Sequence, residues 1–211
     1  SKKISSFNLN DRKMYDYYNL IQDYRPLAIR GYANALYEFA KFIDLKGLQI
    51  PNIENIFSAS EKLDFHKREL IEGVFNVKLY DGYGAGDGTI FAHECEKHNG
   101  LHIDEEVTVT EIVDDVGNPI QSGQGELVST SLVNYAFPFI RYKVGDVAQF
   151  SEEKCTCGRS SRLLKKIMGR NHEFIILKNG NKVHGEFFSH AVRNIAPDIG
   201  QFSVRQMKNK N

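Results

Sequence analysis

The hydrophobic pattern of this 211-residue chain changes at one short glycine-rich segment, residues 83–88 (Tyr-Gly-Ala-Gly-Asp-Gly). Before it, segments with apolar residues at helical spacing alternate with short apolar runs that are typical of strands. After it, most segments alternate with a period of two and are rich in β-branched residues. The pattern therefore predicts an α/β fold, in which a parallel sheet with covering helices is followed by a mostly antiparallel β subdomain.

Capping residues set the expected helix limits in the first part of the chain. The first helix is expected over residues 11–24, after the capping residue Asn10 and before Pro26. A second begins near Tyr32 and ends at Gly47, and a third ends near Phe75. A fourth helix is expected at residues 187–195. The expected strands are residues 27–29, 53–57, 77–80, 107–113, 125–130, one or two within 137–150, a hairpin at 174–183, and 202–205.

The glycine-rich segment is a candidate ligand loop. Its three glycines allow a backbone to approach a ligand closely, or to turn where a Cβ would clash. The ring of Tyr83 can stack on a base or close a core, and the carboxylate of Asp87 can bind a metal ion or a hydroxyl. Because α/β sheets bind ligands beyond the carboxyl ends of their strands, a ligand loop is plausible here. On this segment alone, a surface turn is an equally good interpretation.

Charge and cysteine content exclude several functional classes. Basic and acidic residues both number 27, so bulk electrostatics gives no support for a nucleic-acid partner or a membrane surface. No apolar run approaches the roughly 20 residues that a membrane span needs. Three cysteines do not suit a disulfide framework, which favours a reducing, cytoplasmic location.

The cysteines instead predict a structural zinc site. Cys95 and His98 form a C-x2-H pair, and Cys155 and Cys157 form a C-x-C pair followed by Gly158. Two close pairs of soft ligands, far apart in sequence, are how a tetrahedral zinc site is usually assembled. The glycine lets a backbone N–H point at the thiolate. His93 or His102 can replace His98 as the fourth ligand, and three thiols without a metal remain an alternative.

Two further positions are candidates for nucleotide contacts. Asp146 follows Gly145 at an expected strand end, where a carboxylate can accept hydrogen bonds from sugar hydroxyls. Arg170 follows Gly169 and can pair with a phosphate. Taken separately, each is better explained as a turn aspartate or a solvated cation.

Taken together and in this order, these segments resemble one family, the adenylate-forming ligases. The resemblance is to the phenylacetate–CoA ligase-like branch, which includes the capsular polysaccharide biosynthesis protein CapK. The segments that carry it are residues 26–32, 58–63, 83–88, 93–95, 100–103, 125–128, 138–146, 155–159 and 169–170.

The resemblance implies roles for most of the candidate residues. Tyr83, followed by Gly84, would stack on adenine, and Asp146 would hold the ribose hydroxyls. Arg170 would approach the nucleotide near the boundary with the carboxyl-terminal domain. Glu61 lies in the segment that resembles the adenine-side wall.

The family usually has a glutamate near magnesium and the acyl carboxylate, and Asp87 takes that place here with a shorter side chain. Asp87 is therefore the candidate catalytic residue. Some members lack the C-x-C pair yet keep a histidine like His102, which favours His98 as the zinc ligand.

The function implied is part of an ATP-dependent acid–thiol ligase, which adenylates a small-molecule carboxylate and transfers the acyl group, with coenzyme A as the expected acceptor. ATP or AMP, magnesium, coenzyme A and a structural zinc are the implied cofactors, and a homodimer is compatible with this interpretation. The alternatives are a non-catalytic, zinc-stabilised nucleotide-binding module, or a ligase with an amine or sugar acceptor.

The expected organisation is an α/β subdomain at residues 1–90, a β-rich subdomain at 91–168, and a hinge with the start of the carboxyl-terminal domain at 169–211. Family members are roughly twice as long, so the phosphate-binding loop is expected upstream of Ser1 and the catalytic lysine beyond Asn211. The chain alone is therefore expected to be inactive.

Overall fold

The computed structural model describes residues 1–85, 87, 89–170, 174–177, 182–184, 188, 192 and 203–206. The helices are α1 (Asp11–Tyr24), α2 (Ala33–Lys46) and α3 (Phe65–Phe75). The strands are β1 (Ala28–Tyr32), β2 (Asn55–Ala59), β3 (Leu79–Gly84), β4 (Phe91–His93), β5 (Leu101–Ile103), β6 (Thr108–Val113), β7 (Pro119–Ile120), β8 (Gln124–Ser131), β9 (Tyr142–Phe150), β10 (Leu163–Arg170), β11 (Phe174–Ile176) and β12 (Lys182–His184). None of the helices in these ranges is long and apolar enough to cross a membrane.

The helix limits follow from local capping. The side chain of Asn10 accepts a hydrogen bond of 3.0 Å from the backbone N–H of Lys13 and so caps the start of α1. Helix α1 ends where Arg25 adopts a left-handed conformation, with φ 45°. Helix α2 ends in the same way at Gly47, with φ 60°, a conformation that glycine adopts without steric cost. The predicted limits of these two helices are confirmed.

Ten strands form one sheet, in the order β1-β2-β3-β4-β5-β10-β9-β8-β6-β7. Strands β1, β2 and β3 are parallel to each other, and every later pair is antiparallel. The predicted change from parallel to antiparallel pairing is thus confirmed. The antiparallel strands extend the parallel sheet itself, because β4 returns alongside β3 and pairs with its free edge.

Two hydrophobic cores stabilise the two parts of the sheet. The first joins all three helices to β2 and β3, and its innermost side chains are Ile43, Ile56, Ile71 and Leu79. The second packs among the antiparallel strands, and its innermost side chains are Ile90, Ile103, Ile112, Leu127 and Leu164. Since apolar burial supplies most of the folding free energy, each part of the sheet has its own source of stability.

Strand β10 comes late in the chain and lies in the middle of the sheet, between β5 and β9. Its register places Leu163 opposite His102 of β5 and Arg170 opposite Asp146 of β9. This one strand therefore brings the segment that follows Cys155 and Cys157 against β5 at one end. At its other end it sets an arginine beside the candidate ribose-binding carboxylate.

The last part of the chain is described only in pieces. Strands β11 and β12 pair antiparallel, as the predicted hairpin requires, and its turn lies outside the described residues. Residues 188 and 192 are helical, and the rest of the helix expected at 187–195 lies outside the described residues. Residues 203–206 form no strand, in contrast to the expectation.

Candidate nucleotide site and metal cluster

A cavity of about 580 Å³ opens where β2 and β3 end. Its lining comes from the segment after β2, the second half of β3, Asp146 of β9, and the whole second half of β10. The carboxyl ends of parallel strands are where α/β sheets usually bind ligands. Five of the residues predicted to contact the nucleotide line this one cavity, namely Glu61, Tyr83, Gly84, Asp146 and Arg170, and the predicted metal ligand His98 lines it as well.

Tyr83, Asp146 and Arg170 form a connected polar group. The hydroxyl of Tyr83 donates a 2.5 Å hydrogen bond to Oδ2 of Asp146. The Nε atom of Arg170 lies 3.2 Å from Oδ1 of the same carboxylate, and its Nη1 atom donates to the carbonyl of Val144. Asp146 is only 7% exposed, so the guanidinium and the hydroxyl compensate a buried charge.

This arrangement keeps Tyr83 neutral, so that its hydroxyl donates the hydrogen bond and the Asp146 carboxylate accepts it. Burial raises the pKa of Tyr83, and its hydrogen bond to the Asp146 carboxylate raises it further. Removing the phenolic proton would place two negative charges side by side in a poorly solvated site. The tyrosine therefore serves as a fixed donor and a flat apolar surface across the physiological pH range.

Glu61 and Asp87 make local contacts that the sequence did not reveal. The carboxylate of Glu61 accepts a 2.8 Å hydrogen bond from the backbone N–H of Asn34, in the first turn of α2, where a negative charge is favourable. Asp87 accepts hydrogen bonds from the N–H and hydroxyl of Thr89, and it is not among the residues that line the cavity.

The cavity wall also contains acidic residues that the sequence analysis missed. Asp81 accepts a 2.5 Å hydrogen bond from Ser58, its cross-strand neighbour. Its backbone N–H donates to Glu94, whose other oxygen lies 2.8 Å from Nη2 of Arg68. Alternation along β3 was the available signal, because Asp81 and Tyr83 are two residues apart and so share a face.

Burial raises the pKa of Asp81 to about 6. The hydrogen bond from Ser58 acts in the opposite direction and lowers this pKa, while the negative charge of Glu94 raises it. The folded protein thus binds this proton more tightly than the unfolded chain does. Stability from this group is greatest below the unfolded-state pKa and is lost as the pH rises through about 6. Between pH 5 and 8, wild type is expected to lose roughly 1–1.5 kcal/mol of unfolding free energy through this group, and the Asp81→Asn variant is expected not to show that loss.

Urea unfolding at several pH values measures this difference. The matched control is Asp16→Asn, which changes an exposed aspartate on α1 and should leave the wild-type pH dependence intact. Parallel pH profiles for wild type and Asp81→Asn would show that this carboxyl does not titrate as described.

A second candidate site is formed by residues of β5 and of the segments that precede β5 and β10. Among the described residues, Cys95, His102, Cys155 and Cys157 present ligand atoms that all lie within 4.8 Å of one another. The Sγ atoms of Cys95 and Cys155 are 3.6 Å apart, and the Sγ atom of Cys157 lies 3.3 Å from Nε2 of His102. Zinc–thiolate bonds of about 2.3 Å and zinc–imidazole bonds of about 2.0 Å fit a tetrahedron of these dimensions.

The surroundings of these four side chains suit metal ligands. The backbone N–H of Arg159 lowers the pKa of the Cys157 thiol to about 7, in the geometry that Gly158 was expected to allow. Burial lowers the pKa of His102, so its ring is neutral at physiological pH. The Nδ1 atom of His102 lies 3.0 Å from the hydroxyl of Ser161, so Nε2 faces the cysteines. The residues therefore fit a closed Cys3His site.

The histidine in this cluster differs from the one favoured by the sequence. His98 adopts a left-handed conformation, with φ 48°, and is not one of the four residues of the cluster. Its Nδ1 atom lies 3.0 Å from Glu94, and its ring stands 4.9 Å from that of Tyr80. His102, one of the two alternatives to His98 beside His93, belongs to the cluster and lies on β5 opposite Leu163 of β10.

No family model matches the chain, but similar proteins are found among curated sequences and solved structures. The phenylacetate–coenzyme A ligase of Thermus thermophilus is 32% identical over 170 residues, which cover 77% of this chain and 38% of that protein. Protein CapK of Staphylococcus aureus is 25% identical over 198 residues, which cover 93% of this chain and 43% of that protein. The crystal structure of 2-hydroxyisobutyryl-CoA ligase in an open conformation, with 2-HIB-AMP and CoA, superposes with a TM-score of 0.74.

That superposition has 17% sequence identity and covers 92% of this chain and 47% of the ligase. The chain has part of the adenylate-forming ligase fold. The predicted resemblance to phenylacetate–CoA ligases and CapK is confirmed. The chain spans about two fifths of the length of these curated relatives. The amide bond synthetase McbA of Marinactinospora thermotolerans also superposes on this chain, with a TM-score of 0.65, 16% identity, and coverage of 89% of this chain and 40% of that protein.

Proposed function

We propose that this chain provides the nucleoside-binding wall of an ATP-dependent acid–thiol ligase. The observation that carries the proposal is the Tyr83–Asp146–Arg170 group in a cavity at the carboxyl ends of parallel strands. In the proposed reaction, a carboxylate attacks the α-phosphate of ATP to give an acyl-adenylate and pyrophosphate. A thiol, which we take to be that of coenzyme A, then displaces AMP.

Asp146 retains the capacity to bind a ribose while it keeps its present partners. An ionised carboxylate offers about four lone-pair sites on its two oxygens. Tyr83 and Arg170 use one site on each oxygen, which leaves one on each for the two vicinal hydroxyls of a ribose. The two existing hydrogen bonds hold the carboxylate in place, so little side-chain entropy is lost on binding.

The ring of Tyr83 would form a face of the base-binding part of the cavity, and Gly84 keeps the adjacent wall free of a side chain. Magnesium would arrive with the nucleotide, because this ion is usually held by substrate phosphates and one or two carboxylates. Asp87 is the candidate carboxylate in this chain. The protein's own contribution would be to position the nucleotide and to exclude water from it.

Calorimetric titration of the 211-residue chain with AMP tests the proposal. We expect Asp146→Ala to weaken AMP binding by on the order of tenfold to a hundredfold, because two charge-assisted hydrogen bonds to the ribose are lost. Asp16→Ala, on the exposed side of α1, is the matched control and should bind AMP as wild type does. Equal AMP affinity in wild type and Asp146→Ala would remove the proposed site.

The Cys95, His102, Cys155 and Cys157 cluster would hold a structural zinc ion in this ligase. All four positions of a tetrahedron would be filled by protein, so the ion would have no open position for water and no part in the reaction. Its role would be to join β5 to the segment before β10, and so to fix the strand that carries Arg170. Free thiols in such a site are compatible with a reducing cytoplasm.

The position of Asp87 favours one alternative, a nucleotide-binding module without turnover. Asp87 is shorter than the glutamate expected there, and it binds Thr89 outside the cavity lining. Carboxylate-dependent release of pyrophosphate from ATP, assayed with the longest natural polypeptide that contains this sequence, separates the two. Release that requires an added carboxylic acid supports the ligase, and AMP binding without release supports the module.

A further inference from the structure

Lys165 and Lys166 are consecutive on β10, and both line the cavity. In a regular strand, successive side chains point to opposite faces of the sheet. Here the register against β9 shifts between Leu164 and Lys166, as in a β-bulge. The burial pattern shows the same irregularity, since Leu163 and Leu164 are both buried and the two lysines are both exposed. The bulge therefore coincides with two adjacent exposed lysines that border the same cavity.

Gly100 keeps the neighbouring backbone close to this irregularity. It has φ +121°, and a Cβ atom on it would lie 2.9 Å from the carbonyl oxygen of Leu164 and 3.6 Å from Cα of Lys165. Any side chain at this position would therefore press against the bulged backbone. The close approach also sets Gly100 itself in the cavity wall, beside the two lysines.

No described residue neutralises the positive charge of this pair. Lys67, Lys78 and Lys143 each lie within ion-pair distance of a carboxylate. Among the described residues, neither Lys165 nor Lys166 has an ion pair or a hydrogen bond to its ammonium group. Two adjacent unpaired cations in a concave site repel each other and attract a multiply charged anion.

The pair lies at some distance from the proposed ribose site. Lys166 precedes Arg170 by four residues, which is about 13 Å at the rise of an extended strand. Arg170 is the register partner of Asp146. A nucleotide whose ribose is held by Asp146 could thus reach the lysines only with a phosphate extended along β10, or a second phosphorylated molecule could occupy them.

We infer that Lys165 and Lys166 form a phosphate-binding subsite that takes a phosphate group of a nucleotide substrate, carried either by the phosphate chain of ATP or by coenzyme A. The inference rests on the proposed function for the choice of nucleotide. The subsite itself rests on the bulge, the shared cavity and the absence of neutralising partners for the two ammonium groups among the described residues. Each lysine would act as a mobile point charge that follows the phosphate oxygens.

The test compares wild type with the Lys165→Met/Lys166→Met double variant by calorimetry at low ionic strength. The probes are AMP, inorganic pyrophosphate, ATP, coenzyme A and dephospho-coenzyme A. We expect the double variant to bind at least one of pyrophosphate and coenzyme A on the order of tenfold to a hundredfold more weakly. AMP binding should change least among the nucleotide probes, because its single phosphate extends least far along β10 from the ribose position at Asp146. Lys41→Met, an exposed lysine on α2, is the matched control.

The probes also identify the source of the phosphate. A loss for coenzyme A that is absent for dephospho-coenzyme A assigns the pair to the 3′-phosphate, and a loss for pyrophosphate and ATP assigns it to the phosphate chain. The subsite does not exist if wild type binds none of the phosphate probes, or if the double variant binds them all as wild type does. The two proposals can fail separately. If Asp146→Ala binds AMP as wild type does while phosphate binding still depends on the two lysines, the proposed function is refuted and the phosphate subsite is supported.

Discussion

Purified protein is expected to contain about one equivalent of zinc, and His102→Ala is expected to lose most of it while His98→Ala keeps it. Among the histidines that the structure describes, His102 alone belongs to the cluster of the three cysteines, whereas the His98 ring lies against Glu94 and Tyr80. Cys155→Ser should reduce the zinc content further, to below about 0.2 equivalents, because a buried thiolate ligand is removed. Metal analysis by mass spectrometry after gel filtration measures all three variants.

Loss of the ion should also lower the thermal stability. The cluster joins three separate segments of the β-rich part, and β10 lies at the centre of the sheet. A loss of roughly 3–5 kcal/mol corresponds to a fall in Tm of about 6–20 °C for a chain of this size. Zinc below about 0.2 equivalents in the wild-type protein would contradict the site. Zinc lost from His98→Ala and kept in His102→Ala would contradict the ligand set.

Gly125→Ala is expected to destabilise the fold by roughly 3–5 kcal/mol, although it adds a single methyl group. A Cβ at Gly125 would lie 2.2 Å from the carbonyl oxygen of Val113 and 2.9 Å from Cγ2 of Ile112. The first neighbour is backbone at the end of β6, so it cannot move aside as a flexible side chain would. Either β8 or β6 would have to shift, and the pairing between them would weaken.

Gly73→Ala is the matched control for this prediction, and the expected effect has the opposite sign. Gly73 lies within α3, and a Cβ there would meet nothing within 4 Å. Alanine has the higher helix propensity, so this variant should gain roughly 0.5–1 kcal/mol. Urea unfolding of both variants beside wild type gives the free energies. A Gly125→Ala variant as stable as Gly73→Ala would show that β6 and β8 do not approach as closely as described.

The sequence was sufficient for the elements whose limits depend on neighbouring residues. Asn10 and Gly47 fix a helix start and a helix end through contacts within a few residues, so α1 and α2 were predictable. The change from parallel to antiparallel pairing followed from the change in hydrophobic period at residues 83–88. That the first ten strands join one sheet did not follow, because periodicity describes a strand and not the strand with which it pairs.

The candidate site was predictable where its residues are marked by their immediate neighbours in the sequence. Tyr83 and Asp146 were recognisable as polar groups next to glycines at strand ends, and the structure brings them into contact. The choice of His102 over His98 depends on the pairing of β5 with β10, which joins residues about 60 apart in sequence. The same holds for Lys165 and Lys166, since a bulge is a mismatch between two strands.

The position of β10 has a consequence for how this chain folds during synthesis. Strands β5 and β9 cannot complete their pairing until residues 163–170 have left the ribosome, because β10 lies between them. Until then, two sheet edges in the middle of the β-rich part present unpaired N–H and C=O groups to other nascent chains. We therefore expect folding to be slow and late, dominated by contacts between distant residues, and most prone to aggregation just before β10 inserts.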